Sequence, residues 1–266
     1  KRWVCLKRRR ARLPRRLGDR HDIPPAMAIE LAGLYIFSYL VGSIPTAYLI
    51  GKLARDVDLR SYGSGNVGGS NLFRHVGKWW MAPLGVLDVL VKGAGPIWFG
   101  VYVMDMDRTS PLLVIAPLIA ILGHNWSIYL RFQGGRGIAV VAGSLLALSP
   151  ILLAAFVLVA MAGWGVTRSA GVWVLISLLL LPLWAILSPP WVILGGDQIV
   201  LSAYFGGLLV LVVMKRLLSN WTPLYDGLPK RKVLLNRLFR DRDVDNRADW
   251  VGDWRPEQGS NMQSET

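Results

Sequence analysis

Three apolar runs, Ala28 to Ile50, Trp79 to Met104 and Pro111 to Leu130, each reach the roughly 20 residues that a helix needs to cross the hydrocarbon core of a bilayer. A backbone inside lipid has no water to bond, so such runs form helices and exclude open sheets. A longer apolar territory from Gly137 to Met214 divides into four at its punctuation: Ser149-Pro150, Thr167-Arg168-Ser169 and Ser188-Pro189-Pro190. Its first piece, Gly137 to Leu148, is too short to span alone. It reads as a re-entrant or tilted element, or as one that fuses with the next piece. The expected fold is therefore all-α, a polytopic membrane helix bundle of seven transmembrane helices, with six as the alternative. Charged residues make up only 18% of the chain, against roughly 25% in soluble domains, and Trp79, Trp80, Trp126, Tyr129 and Trp191 sit at the ends of apolar runs, as in the aromatic belts of membrane proteins.

The distribution of positive charge separates the two helix counts. With seven helices, Lys52, Arg55, Arg60, Arg74, Lys78, Arg131, Arg136, Arg168 and the basic residues after Met214 share one side, and Arg108 is left on the other. Cytoplasmic loops carry such an excess. With six helices the bias largely disappears. The net charge of +13 does not mark a nucleic-acid surface, because the basic residues gather in blocks at the chain ends rather than on a folded face.

Residues 1–26 read as a disordered basic extension, either upstream sequence outside the native chain or a dispensable tail, with a transit peptide or a nucleic-acid arm as alternatives. Their charges oppose the orientation just derived. Residues 27–214 read as the integral membrane domain, and 215–266 as a basic cytoplasmic tail. Within that tail Leu234, Leu235, Leu238 and Phe239 form an apolar stripe among basic residues. Such a short amphipathic helix either lies on anionic lipid or packs on the loops. The single Cys5 excludes a disulfide framework.

Two loops carry the chemistry. The first runs Arg60-Ser61-Tyr62-Gly63-Ser64-Gly65-Asn66-Val67-Gly68-Gly69-Ser70-Asn71-Leu72-Phe73-Arg74. Its four glycines let consecutive N–H groups converge on an anion. Ser64, Asn66, Ser70 and Asn71 add neutral donors, and Arg74 adds a planar cation suited to phosphate. A flexible connector is the bland alternative, but a connector has no use for Ser, Asn and Arg interleaved with Gly. The second loop, from Gly123-His124-Asn125-Trp126 to Gln133-Gly134-Gly135-Arg136-Gly137, opens the next helix, whose N-terminal end favours an anion. Both loops fall on one side of the seven-helix arrangement.

His124 reads either as a general base or as a buried, hydrogen-bonded structural histidine. Asp88 and Lys92, at i and i+4 inside an apolar run, read as an ion pair that orients the first loop, with direct substrate contact as the alternative. No His is followed five positions on by Asp, since Ala26, Trp80 and Tyr129 stand there. That removes the His-Asp pair of the soluble-thioester acyltransferases. No Cys and His cluster points to a metal, and no cofactor is expected.

Gly42-Ser43-Ile44-Pro45, the Gly63 to Arg74 loop and the segment from Gly123-His124 to Gly137 resemble the acyl-phosphate:glycerol-3-phosphate acyltransferases of bacteria, the PlsY family, over about Gly33 to Met214. The resemblance implies a seven-helix, multi-pass protein of the bacterial inner membrane with its site on the cytoplasmic face. It also implies transfer of a fatty acyl group from acyl phosphate to the sn-1 hydroxyl of glycerol 3-phosphate, a step of phospholipid synthesis, with no metal and no obligate protein partner. On it, Ser64 and Arg74 are the catalytic pair, and Gly63, Gly65, Asn66, Gly68, Ser70, Asn71, Gly134, Gly135, Arg136, Gly137 and Asn236 bind substrate, Arg136 gripping glycerol 3-phosphate. Two positions depart from the pattern conservatively or with loss of charge: Ser70 stands where Thr is common and Gln133 where Lys is usual. The family's C-terminal His has no counterpart between Lys230 and Asp243, where Asn236 matches its Asn. A transporter of a phosphorylated solute is the rival reading, but it would place its site near the midplane between corresponding halves. A membrane scaffold leaves the loop chemistry unexplained.

Overall fold

The computed structural model describes residues 24–62, 65–219 and 229–245, and among them no strand forms. Residues 1–23 and most of the tail lie outside this set, so the readings of the N-terminal extension and of the tail beyond Asp245 are not addressed by it.

Five stretches are long and apolar enough to cross a membrane: Pro25–Arg55, Lys78–Tyr102, Pro150–Thr167, Ala170–Leu187 and Gln198–Leu217. The first is α1 (Pro25–Ser43) followed by α2 (Thr46–Arg55), separated where Pro45 cannot continue the hydrogen-bond ladder. After the short α3 (Gly69–His75), the second joins α4 (Met81–Gly85), a π-helical stretch over Val86–Ala94, and α5 (Gly95–Tyr102). Then come α6 (Ile115–Asn125) and α7 (Ile138–Leu148), and the remaining long helices α8 (Pro150–Thr167), α9 (Ala170–Leu187) and α10 (Gln198–Leu217). The amphipathic α11 (Lys230–Arg240) follows.

The expectation of a spanning-length helix from Pro111 to Leu130 is corrected: its α-helical part is the 11 residues of α6, followed by a separate 3-10 turn at Ile128–Leu130, and α6 gives about 16 Å of rise against a core of about 30 Å. The cause is visible at its end, where the His124 carbonyl accepts the Gly135 N–H at 3.0 Å in place of a further helical turn. Helix α7 is equally short and remains separate from α8. Ser149 leaves the helical region there and caps α8 through its Oγ, which accepts from Leu152 N–H at 3.1 Å. The breaks read at Arg168 and at Ser188-Pro189-Pro190 also form.

Large apolar side chains cover the outer surface; Val166 is 84% exposed and Ile199 76%. Helix α8, of mean hydropathy 2.0, has only 17% of its residues buried. In water such a surface would aggregate, whereas lipid solvates it. Inside, helices approach through small residues: a Cβ on Gly93 would lie 2.4 Å from the Val140 carbonyl and 2.7 Å from Gly143 Cα, so the π-helical stretch and α7 touch backbone to backbone.

The connections sort into two ends. At one, Arg108 donates to the Ala147 carbonyl, Ser149 Oγ to the Val192 carbonyl at 2.6 Å, and Asp197 N–H to Thr109 Oγ1 at 3.0 Å. At the other end lie both glycine loops, the Arg168 turn and α11.

Candidate active site at the glycine loops

The site rests on a buried ion pair. Lys92 Nζ lies 2.6 Å from Asp88 Oδ1, both side chains at most 3% exposed. The π-helical winding turns both inward, toward the Ile44-Pro45-Thr46 break. Lys92 also donates to the Ile44 carbonyl at 2.6 Å, which accepts from the Thr46 N–H at 2.9 Å as well. Thr46 Oγ1 donates to Asp88 at 2.5 Å and accepts from Lys92. A lone charge here would be prohibitively costly; this closed network instead fixes the angle at which α2 leaves α1 and carries the first loop. Asp88 and Lys92 pair with each other, as one of their two readings has it, and their hydrogen bonds reach Ile44 and Thr46.

The first loop is packed rather than slack. Leu59, Val67, Leu72 and Val76 form a core with Ala47, Leu84 and Leu130. Asp58 accepts from the Arg60 backbone at 3.0 Å and pairs with its guanidinium at 2.7 Å, and that cation lies 5.1 Å from the Tyr48 ring centroid. Hydrogen bonding to Arg60 holds the Asp58 carboxyl below its usual range. Asn71, expected to contact substrate, is 5% exposed and donates both amide hydrogens within the loop, to the Leu59 and Tyr62 carbonyls at 2.9 Å. It is a strut of the loop. Gly65 takes a left-handed φ of +63°. Gly68 precedes α3, on which Ser70 and Arg74 stand one turn apart on an exposed face. Asn66 is half-buried beside Gly68. Gly63 and Ser64 lie outside the described residues.

The second loop folds back onto the end of α6. A Cβ on Gly134 would lie 2.3 Å from the His124 carbonyl, and one on Gly135 would lie 2.2 Å from His124 Nε2 and 2.8 Å from the Val67 carbonyl. These distances bring the two glycine loops into direct contact, with the His124 imidazole wedged beneath the junction and in electrostatic reach of Asp88. A supporting role for His124 accounts for this placement. Gly137, with φ +73°, precedes α7 against the side chain of Asn125.

Arg136 is partly buried, and its Nη1 lies 2.5 Å from Asp241 Oδ2. Asp241 closes α11 in a left-handed conformation, φ +58°. Arg216, at the end of α10, donates to the Gly171 and Leu238 carbonyls at 2.9 and 3.0 Å, and its Nε is 3.7 Å from Asp241 Oδ1. Lys215 is buried with its Nζ 5.3 Å from the Trp126 ring centroid. Burial pushes the Asp241 carboxyl upward, against the pull of Arg136 and Arg216. Asn236, expected to bind substrate, is 7% exposed and donates to the Asp243 carbonyl at 3.3 Å and to Asp245 Oδ1 at 3.2 Å, so it holds the turn after α11. Leu234, Leu235 and Phe239 stay about half exposed, so α11 docks by its polar side and keeps its apolar stripe outward. Sequence reasoning missed Lys215, Arg216 and Asp241. Two basic residues ending an apolar run read as ordinary interfacial charges, and nothing local tied Asp241 to Arg136, 105 positions earlier. Among the described residues no cluster of three or more His, Cys, Asp or Glu is arranged to hold a metal.

The glycerol-3-phosphate acyltransferase family profile matches residues 32–227. Glycerol-3-phosphate acyltransferase 4 of Dehalococcoides mccartyi (strain CBDB1) is 33% identical over 80% of this chain and 89% of its own length. Glycerol-3-phosphate acyltransferase 2 of Moorella thermoacetica is 48% identical over 44% of this chain and 58% of its own. Among solved structures, the glycerol 3-phosphate form of PlsY, an integral membrane glycerol 3-phosphate acyltransferase, superposes with a TM-score of 0.61 at 28% identity over 70% of this chain and 88% of that one. Its lysophosphatidic acid form gives a TM-score of 0.60. With the matched region spanning both glycine loops, the buried ion pair and the end of α10, this chain belongs to the glycerol-3-phosphate acyltransferase family of integral membrane acyltransferases.

Proposed function

We propose that the chain transfers a fatty acyl group from acyl phosphate to the sn-1 hydroxyl of glycerol 3-phosphate, giving lysophosphatidic acid and phosphate. The observation that carries this is the direct contact between the two glycine loops, which puts two phosphate-suited backbones at one end of an apolar bundle. A lipid-bearing donor arrives there from the membrane and a water-soluble acceptor from the aqueous phase. The proposed chemistry is one step. The glycerol hydroxyl oxygen attacks the acyl carbonyl carbon, the new ester bond forms, and the bond from that carbon to the phosphate oxygen breaks. The hydroxyl proton passes to a phosphate oxygen and leaves with it. An acyl phosphate is already an activated mixed anhydride, so positioning and charge stabilisation suffice. Ser64, Arg74 and N–H groups of the first loop hold the donor, and Arg136 grips the acceptor.

The topology proposed with this activity has seven crossings, the short α6 and α7 counted with the five long stretches; the common end of the bundle shared by both loops, Arg168 and α11 supports it, and the basic excess supports the cytoplasmic face of a bacterial inner membrane for that end. The test supplies purified protein with glycerol 3-phosphate and either palmitoyl phosphate or palmitoyl-CoA and measures lysophosphatidic acid. Product from the acyl phosphate alone is expected. Product from the thioester alone refutes the donor, and a trapped acyl-Ser64 refutes the direct attack.

A further inference from the structure

Resting on that reading, we propose that the Asp241 carboxylate occupies the place of the acceptor's phosphate between Arg136 and Arg216, and that glycerol 3-phosphate binds by displacing it. Asp241 thereby sets the affinity for the acceptor.

Four observations carry this. First, Asp241 faces two guanidinium groups but engages only one well: Oδ2 reaches Arg136 at 2.5 Å, whereas Oδ1 stops 3.7 Å from Arg216 Nε. Among the described residues, neither Oδ1 nor that Nε has a hydrogen-bond partner, although both are buried. Two adjacent orphaned atoms of opposite charge mark a fit that a larger anion completes, because a phosphate offers tetrahedrally disposed oxygens where a carboxylate offers two on a short stem.

Second, Arg216 is prepared for such an anion. Its Nη1 is committed to the Gly171 and Leu238 carbonyls, which hold the planar group still and leave Nε turned toward Asp241. Third, Arg136 lies within electrostatic reach of Arg216, and among the described residues Asp241 is the carboxylate that pairs with these two arginines. A phosphate dianion brings two negative charges to the two guanidinium groups where the carboxylate brings one.

Fourth, Asp241 is placed where it can leave. It stands in the left-handed cap just past α11 rather than within the helix, and Asp tolerates that conformation better than most residues. Helix α11 is held to the end of α10 by contacts other than Asp241: Arg237 donates to the Leu217 carbonyl and Arg216 to the Leu238 carbonyl, both at 3.0 Å. Rotation about the cap therefore releases the carboxylate without undocking the helix.

The experiment compares initial rates of the purified full chain and of Asp241→Asn, varying glycerol 3-phosphate at saturating palmitoyl phosphate and the reverse. Removal of the competing charge lowers the KM for glycerol 3-phosphate by about two- to fivefold, the scale of a partly exposed ion pair. The KM for palmitoyl phosphate stays as in wild type. Asp241→Glu keeps the charge and lengthens its reach toward Arg216, and raises the acceptor KM. An acceptor KM that is unchanged or raised in Asp241→Asn overturns the inference, since a purely structural Asp241 weakens the site when lost. A shift confined to the donor KM overturns the assignment of the phosphate to the acceptor. If turnover is impaired, calorimetric titration with glycerol 3-phosphate alone reads the same affinity change, and failure of the variant to bind more tightly is equally adverse. Wild-type protein that makes no lysophosphatidic acid refutes the proposed function itself.

Discussion

Gly135→Ala probes the contact on which the site is built. The added Cβ would sit 2.2 Å from His124 Nε2, 3.0 Å from His124 Cδ2 and 2.8 Å from the Val67 carbonyl oxygen. Ordinary contact needs about 3.4 Å or more, so the obstruction amounts to about 1 Å on the imidazole side and somewhat less on the Val67 side. The two neighbours do not yield equally. The imidazole can rotate, but the Val67 carbonyl belongs to a packed loop, and Val67 itself is 3% exposed. Relief therefore comes by separating the glycine loops by a substantial part of an ångström. Overpacking of this kind costs about 1–3 kcal/mol of stability. Misplacement of reacting groups by about 1 Å costs about 100-fold in rate. The expected result is a loss of about two orders of magnitude in kcat/KM for lysophosphatidic acid formation, with a folded, monodisperse protein whose melting temperature falls by a few degrees. Acylation kinetics and a thermal melt in the same detergent measure both. Wild-type kcat/KM in a folded Gly135→Ala protein refutes the idea that contact between the loops aligns the substrates.

Other expectations follow from the same contacts. Lys92→Met strands the Asp88 carboxylate inside the bundle and destabilises the protein by about 3–5 kcal/mol, and the double replacement Asp88→Leu with Lys92→Met recovers much of that in a detergent melt. Arg74→Ala lowers kcat by at least about 100-fold, whereas Arg136→Ala chiefly raises the KM for glycerol 3-phosphate, by roughly 10- to 100-fold for a lost charge-assisted contact; equal effects of the two on kcat and KM would deny them distinct substrates. The Asp58 carboxyl is held below its ordinary value of 3.8 by hydrogen bonding to Arg60. Its contribution to the first loop is thus present above the unfolded pKa and lost as pH falls through the lower folded value. Limited proteolysis of the loop should quicken in acid below about pH 4, and Asp58→Asn should remove that dependence.

Much of the fold was legible because the strongest signals are local. Apolar length and loop punctuation located α1, the Lys78–Tyr102 rod and the last three long helices, and Ser149-Pro150 separated α7 from α8 as its chemistry requires. Helix α6 was misjudged in length because apolar composition reports what a segment tolerates, not where its carbonyls bond. The Gly135 N–H that ends α6 comes from the far side of a loop. At the site, glycine density and the placement of Arg74 and Arg136 were readable, but Asn71 and Asn236 looked like donors to a ligand when their amides serve the chain's own carbonyls and carboxylates. Side-chain type gives hydrogen-bonding capacity, and only geometry says which partner uses it.

Sequence alone thus determined the membrane setting, the helical class and the presence of two glycine-rich loops, since each follows from hydropathy, spacing and residue type over short stretches. Tertiary structure alone decided that the loops touch at Gly135, that the Asp88–Lys92 pair reaches back to the Pro45 break, and that Asp241 returns to Arg136. Those contacts join residues as much as 105 positions apart, and their free energy depends on burial and direction, neither of which is encoded in any single stretch of chain.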